Sequence, residues 1–148
     1  KEKRHGNVVS LNEYLNEDKE EIDFGAGESI DRHSIEQINE YRRFEIAELK
    51  EELQKWDITF EDLVESSPKH KKTREICGSI TGYILSKPDI IKLIKQKKYV
   101  PITEIEKALK IPRKKVERLR KYIIAVIIVA TGDYMYIRDY IKDYMKIG

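Results

Sequence analysis

Cysteine, proline and glycine are scarce in this 148-residue chain, which has one Cys, four Pro and seven Gly. A single thiol excludes an internal disulfide, and strand-rich folds need more turn residues than these. No apolar run is longer than residues 122–130, whereas a membrane-spanning helix needs about 20 residues. We therefore predict an all-α fold, a reducing cytoplasmic location and no direct insertion into a membrane.

The residue patterns that carry catalysis or hold metals are also missing from the sequence. The three His are scattered, and neither a glycine-rich phosphate loop nor a nucleophile–base pattern occurs. His70 is interpreted as a surface or capping residue, and Cys77 as a small core residue rather than a nucleophile. The sequence therefore predicts no enzyme, no metal, no cofactor and no small-molecule substrate.

Charge is abundant, at 38% of residues, but it is divided unevenly. Residues 13–28 contain seven acids and one cation, whereas residues 112–121 contain six cations and one acid. We predict that residues 1–33 form a flexible, partly disordered acidic linker between domains, with a short amphipathic stretch at 8–15. Residues 34–148 are predicted to form one compact multi-helix domain. Because the chain does not begin with Met, we expect it to be a piece of a longer protein.

Local capping patterns predict where several helices begin within residues 34–148. The predicted starts are Ser34 with Gln37, Thr59 with Asp62, Ser67 with Pro68, and Pro88. A last helix, from about Asp133, should bury one stripe of apolar residues at helical spacing: Tyr134, Ile137, Ile141 and Tyr144.

Residues 102–131 have the pattern of a helix-turn-helix. Ile102 and Ile105 give the first helix a buried face, and residues 110–112 are too few for anything but a sharp turn. Pro112 presets the first turn of the second helix, on which Val116 and Leu119 point inward. The second half of that helix is almost wholly apolar and is predicted to lie in the core.

The first half of the second helix carries the candidate DNA-binding residues. These are Arg113, Lys114, Lys115, Glu117, Arg118, Arg120 and Lys121. We predict base reading by Arg113, Lys114, Glu117 and Arg118, because arginine can bond two acceptors on guanine and glutamate can accept from cytosine. The alternative is a solvated charged face in which Glu117 and Lys121 pair four residues apart.

Three segments of the sequence resemble the C-terminal domain of the I-type alternative sigma factors of Gram-positive bacteria. They are EYRRFEIAELKEELQKWDITFEDLVE (40–65), FEDLVESSPKHKKTRE (60–75) and RKKVERLRKYIIAVIIVATGDYMYIRDYI (113–141). The likeness runs from residue 40 to the end, and residues 1–39 would be the inter-domain linker.

This resemblance implies a subunit that directs RNA polymerase core to particular promoters. The domain would read the minus-35 element of promoter DNA with the helix-turn-helix. The resemblance also implies control by a transmembrane anti-sigma factor, whose cytosolic N-terminal domain binds the sigma factor. The family's N-terminal half, which engages the polymerase and the minus-10 element, has no counterpart in these residues.

A regulator of this kind needs a second surface, and large aromatic residues are its candidates. We predict Phe44, Trp56, Tyr136 and Tyr140 as partner-binding residues, since aromatics left outside a core often mark an interface. The alternative is that all four complete the core. If the helices bind only a partner protein and not DNA, the chain would instead be an adaptor or regulator-binding module.

Overall fold

The computed structural model describes residues 32–145, in which seven α-helices and no strand are found. The helices are α1 Arg32–Gln54, α2 Phe60–Ser66, α3 Lys71–Leu85, α4 Pro88–Lys97, α5 Ile102–Leu109, α6 Arg113–Thr131 and α7 Met135–Met145. The predicted all-α fold is confirmed. Most of the predicted linker, including the stretch at 8–15, lies outside the described residues, and Arg32 and His33 already belong to α1.

The second half of α6 is the centre of the fold. Every residue from 122 to 129 is buried, which requires neighbours on all sides of the helix. α6 contacts α2, α3, α5 and α7. Removing each large aliphatic side chain from water stabilises the fold by roughly 1.5–3 kcal/mol, so this segment contributes a large share of the stabilisation from burial. The core position predicted for it is confirmed.

α1 joins this core through its C-terminal half, where Leu49 and Leu53 are buried. Farther towards its N-terminus, Tyr41 and Phe44 are 59% and 61% exposed. Between these parts lies Glu45, a buried carboxylate that accepts hydrogen bonds from the backbone N–H groups of Tyr136 and Ile137, both at 3.1 Å. α1 therefore supplies the N-terminal cap of α7.

Two of the predicted helix starts are confirmed and two are wrong. Thr59 and Asp62 form a complete capping box at the start of α2, and Pro88 begins α4. Ser34 lies inside α1. Ser67 ends α2 instead of beginning α3, because its hydroxyl donates back to the Val64 carbonyl at 3.1 Å.

The predicted inner stripe of the last helix is confirmed. Tyr134, Ile137, Ile141 and Tyr144 are all buried, and the Tyr144 hydroxyl donates to the Pro68 carbonyl at 2.9 Å. None of the helices within residues 32–145 combines the length and the apolar character that a membrane span requires.

Candidate nucleic-acid interface

The helices α5 and α6 are joined by a turn of three residues, Lys110 to Pro112. Lys110 ends α5 in the left-handed conformation, with φ 58° and ψ 41°, and its N–H donates to the Glu106 carbonyl at 2.8 Å. Glycine is the usual residue at such a position because a Cβ makes this conformation costly. Ile102 and Ile105 are buried, so α5 is fixed to the core and holds the start of α6 in place.

The first half of α6 has one buried face and one exposed cationic face. Val116 and Leu119 are buried, as predicted, whereas Lys114, Lys115 and Arg118 are exposed. The side chains of these three cations make no hydrogen bond or ion pair with any other described residue. They are therefore available to an external anion without first breaking a contact inside the protein.

Arg113 is already engaged by the protein. Its Nε lies 3.2 Å from Glu117 Oε2, its Nη1 donates to the Thr103 hydroxyl at 3.0 Å, and Nη1 lies 3.9 Å from Glu106 Oε1. The side chain thus links α5 to α6 while remaining about half exposed. Exposed ion pairs of this kind are worth about 1 kcal/mol or less, so a DNA base could still displace them.

Glu117 therefore pairs with Arg113 rather than with Lys121, and the alternative pairing is wrong. Lys121 instead places its Nζ 3.4 Å from Asp62 Oδ2 on α2. The pKa of Asp62 is lowered by the hydrogen bond from the Thr59 backbone N–H and, more weakly, by Lys121, while burial opposes both effects. Lys121 and the half-buried Arg120 both lie in a groove beside α2, to the side of the exposed face.

A second cationic segment lies next to this face, and the candidate set from the sequence did not include it. Residues 69–72, Lys-His-Lys-Lys, lead into α3, and His70 lines a groove whose other wall carries Lys115 and Arg118. The cluster is visible in the sequence as a charge run. Its position beside α6 follows only from the packing of α2 and α3 against that helix.

The four predicted partner-binding aromatics do not form one surface. Phe44 is exposed on α1, one helical turn from Tyr41, whose ring stacks on Tyr136 with centroids 6.5 Å apart. Trp56 and Tyr140 instead pack against the core. For these two residues the core alternative describes the structure better.

Metal-binding and nucleophilic chemistry find no support in residues 32–145. No group of three or more His, Cys, Asp and Glu in that range could hold a metal ion. Cys77 is fully buried, and burial raises the pKa of its thiol to about 12. It therefore stays protonated at neutral pH and is a core residue, as its sequence context predicts.

Comparison with known proteins assigns the chain to a family, although no family model matches it. It is 57% identical over 142 residues to RNA polymerase sigma factor SigI7 of Acetivibrio thermocellus, covering 96% of this chain. It is 36% identical over 142 residues to sigma factor SigI of Bacillus anthracis, again covering 96% of this chain. With SigI of Bacillus subtilis the identity is 35% over 114 residues, or 77% of this chain.

These matches cover 60%, 57% and 45% of the three relatives, so the chain spans about half to three fifths of their length. All three relatives are named as RNA polymerase sigma factors of the SigI type, and the first match extends over nearly the whole of this sequence. The chain therefore belongs to the SigI family of RNA polymerase sigma factors.

Proposed function

We propose that this chain is the C-terminal, promoter-reading domain of an alternative sigma factor that directs RNA polymerase core to specific promoters. In this role α5 and α6 form a helix-turn-helix that reads the minus-35 element, with the N-terminal half of α6 in the major groove. The domain acts as a DNA-binding protein in the cytoplasm and performs no catalytic step itself.

The observation that carries the proposal is the free cationic face of α6. Lys114, Lys115 and Arg118 are exposed on the helix half that a recognition helix inserts into DNA, and the opposite face is anchored by Val116 and Leu119. A rigid helix that presents unpaired cations is suited to both phosphate contact and base reading. Membership of a sigma-factor family indicates that the DNA is promoter DNA.

The candidate residues divide into three roles. Lys114 and Arg118 are the primary base readers, because they are exposed and free. Arg113 Nε and Glu117 Oε2 form an ion pair at 3.2 Å, so these two side chains can contact bases only after this ion pair is broken. The remaining candidates, Lys115, Arg120 and Lys121, lie towards the flanks, where contact with phosphate is the expected role.

The test measures sequence discrimination rather than affinity alone. A preferred duplex is first selected from a random library with the wild-type chain, and Kd is then measured for that duplex and for an unrelated one. The preference is the Kd for the unrelated duplex divided by the Kd for the selected duplex. Arg118→Ala and Lys114→Ala should each reduce this ratio by about 5- to 150-fold, since a good base contact is worth roughly 1–3 kcal/mol. Lys97→Ala, an exposed cation on α4, is the control and should leave the ratio unchanged.

A thermal melt of each variant verifies that the domain is folded. If both α6 variants are folded and keep the wild-type ratio, the assignment of α6 as the recognition helix is wrong. If the wild-type chain selects no sequence at all, promoter reading by this chain is wrong.

The second candidate function is protein binding, and the exposed aromatics favour it. Tyr41 and Phe44 are more than half exposed, and Tyr136 stacks beside them. We propose this α1–α7 surface as the place where a protein partner docks. RNA polymerase core and the cytosolic domain of a transmembrane anti-sigma factor are the candidates. Salt separates the two functions, because phosphate contacts weaken steeply with salt and an apolar interface does not.

A further inference from the structure

We infer that one strand of the DNA backbone crosses the groove between the start of α3 and the first half of α6. The phosphates there would be bound by His70, Lys71 and Lys72, opposite Lys115 and Arg118. This inference rests on the proposed DNA-binding function and adds a phosphate-binding surface outside the helix-turn-helix. It also fixes the direction in which the DNA leaves the recognition helix.

The groove lies between two walls that are far apart in sequence, and the end of α2, with Glu65 and Ser66, also lines it. One wall carries His70, Thr73 and Ile76, and the other carries Lys115, Arg118 and Leu119. Arg118, a proposed base reader, thus lies on the edge of the groove. A DNA strand that follows the exposed face of α6 would pass from Arg118 directly over the start of α3.

The cations beside the groove differ in their availability. Lys69 is engaged, since its Nζ donates to the carbonyls of Val64 at 2.8 Å and Ser67 at 3.3 Å. Arg74 lies over the Tyr144 ring, 5.2 Å from its centroid. By contrast, the side chains of His70, Lys71 and Lys72 are exposed and make no hydrogen bond or ion pair within residues 32–145.

A second groove lies on the other side of Arg118, and the charges that line it differ from those of the groove beside α3. It is lined by three acids and three cations, namely Asp62, Glu65, Glu117, Arg118, Arg120 and Lys121. In the α3 groove Glu65 is the one acid, against Lys69, His70, Lys115 and Arg118. The first turn of α3 adds further cations and no acid. A polyanion is therefore attracted more strongly to the α3 side, where cations outnumber acids, than to the α2 side, where the two are balanced.

The chemistry of these side chains fits the DNA backbone rather than the bases. Lysine is a flexible point charge that neutralises phosphate without the fixed geometry needed to read a base edge. The backbone N–H groups in the first turn of α3 add weakly to this, because His70 does not cap them with its side chain. Contacts at this groove should therefore raise the affinity for every duplex by the same factor, and this contribution should depend strongly on salt concentration.

The experiment uses the full chain with Lys71→Gln and Lys72→Gln combined. Its matched control is Lys92→Gln with Lys97→Gln, which removes the same charge from exposed positions on α4. Kd is measured for the selected duplex and for a random duplex over a range of NaCl concentrations. Circular dichroism melts establish that both double variants are folded.

We expect the α3 variant to bind both duplexes more weakly by the same factor, with the preference between them unchanged. Each lost phosphate contact should reduce the slope of log K against log salt by about 0.9 and weaken binding about eightfold at 0.1 M salt. The α4 control should keep nearly the wild-type slope.

Three outcomes would overturn the inference. A folded α3 variant with the wild-type slope of log K against log salt would show that the DNA backbone does not cross this groove. In that case the proposed promoter reading would still stand if Arg118→Ala lost the preference for the selected duplex. An equal loss in the α4 control would mean that net charge alone is responsible. A wild-type chain that binds no duplex would reject this inference together with the proposed function.

Discussion

Two buried tyrosines have opposite hydrogen-bonding situations. The Tyr122 side chain is fully buried in the centre of α6, and its hydroxyl has no hydrogen-bond partner among the described residues. The Tyr144 hydroxyl is also buried but donates to the Pro68 carbonyl at 2.9 Å. A buried polar group without a partner costs stability, whereas a satisfied one contributes to it.

Replacing each tyrosine by phenylalanine should therefore have opposite effects on the free energy of unfolding. Tyr122→Phe removes an unsatisfied hydroxyl and should leave stability unchanged or raise it by up to about 1 kcal/mol. Tyr144→Phe leaves the Pro68 carbonyl without its donor and should cost about 1–2 kcal/mol. Urea unfolding of the two variants provides the measurement. A larger loss for Tyr122→Phe than for Tyr144→Phe would mean that a partner of Tyr122 exists.

Which cations of α6 are free could be predicted only in part from the sequence. Helical spacing was enough for the outward positions of Lys114 and Arg118, because Val116 and Leu119 define the inner face, whereas it put Lys115, which is also exposed, on the flank. The engagement of Arg113 with Thr103 on α5 depends on how two helices meet, and no local pattern contains that information.

Among the helices, α7 depends on a cap that comes from elsewhere in the chain. Glu45 on α1 accepts from the backbone N–H groups of Tyr136 and Ile137 at 3.1 Å. These donors, one part-buried and one buried, would otherwise be unpaired at the start of a helix. The contact also explains how a carboxylate can be buried between two helices.

Glu45→Ala should lower the free energy of unfolding by about 1–3 kcal/mol, because it leaves one buried and one part-buried donor without acceptors. Native-state hydrogen exchange at the amides of Tyr136 and Ile137 should accelerate more than exchange in the middle of α6. Glu51→Ala, an exposed acid on the same helix, is the matched control and should change stability by less than about 0.5 kcal/mol. Equal losses in the two variants would contradict the capping role.

The predicted helix boundaries succeeded where the cap is local and failed where it is not. The Thr59–Asp62 box is complete within four residues, so the sequence alone identified it. Ser67 followed by Pro68 has an equally good starting pattern. In the structure Ser67 closes α2, and the Pro68 carbonyl is bound by Tyr144, which lies 76 residues later in the chain.

At the scale of the whole domain, α6 has two roles, one in the core and one at the surface. Its second half is buried in the core, and its first half carries the cationic face, while the helix as a whole contacts α2, α3, α5 and α7. Because both halves belong to one continuous helix, the exposed cations are held by the whole core. Charge changes on the exposed face should therefore alter the proposed DNA binding with little effect on the free energy of unfolding.

The shared core also makes global stability sensitive to alkaline pH. Burial raises the pKa of the Cys77 thiol from its usual 9.0 to about 12, and burial likewise raises the pKa of Tyr122 well above 10.0. In the unfolded chain both groups ionise at their usual values, so the unfolded state releases its protons first as pH rises. The stabilising contribution of Cys77 is fully present below pH 9 and is lost as pH rises from 9 towards about 12.

Urea unfolding at several values between pH 8 and pH 11 should therefore give a nearly constant free energy up to pH 9 and a decline above it. Each group contributes a slope of up to about 1.4 kcal/mol per pH unit within its window. Cys77→Ala removes the thiol, so the variant should lose less stability than the wild type between pH 9 and pH 10, an interval that lies below the ordinary tyrosine pKa of 10.0. Parallel curves for the wild type and Cys77→Ala over that interval would show that the thiol titrates alike in the folded and unfolded states, and thus that it is not buried in solution.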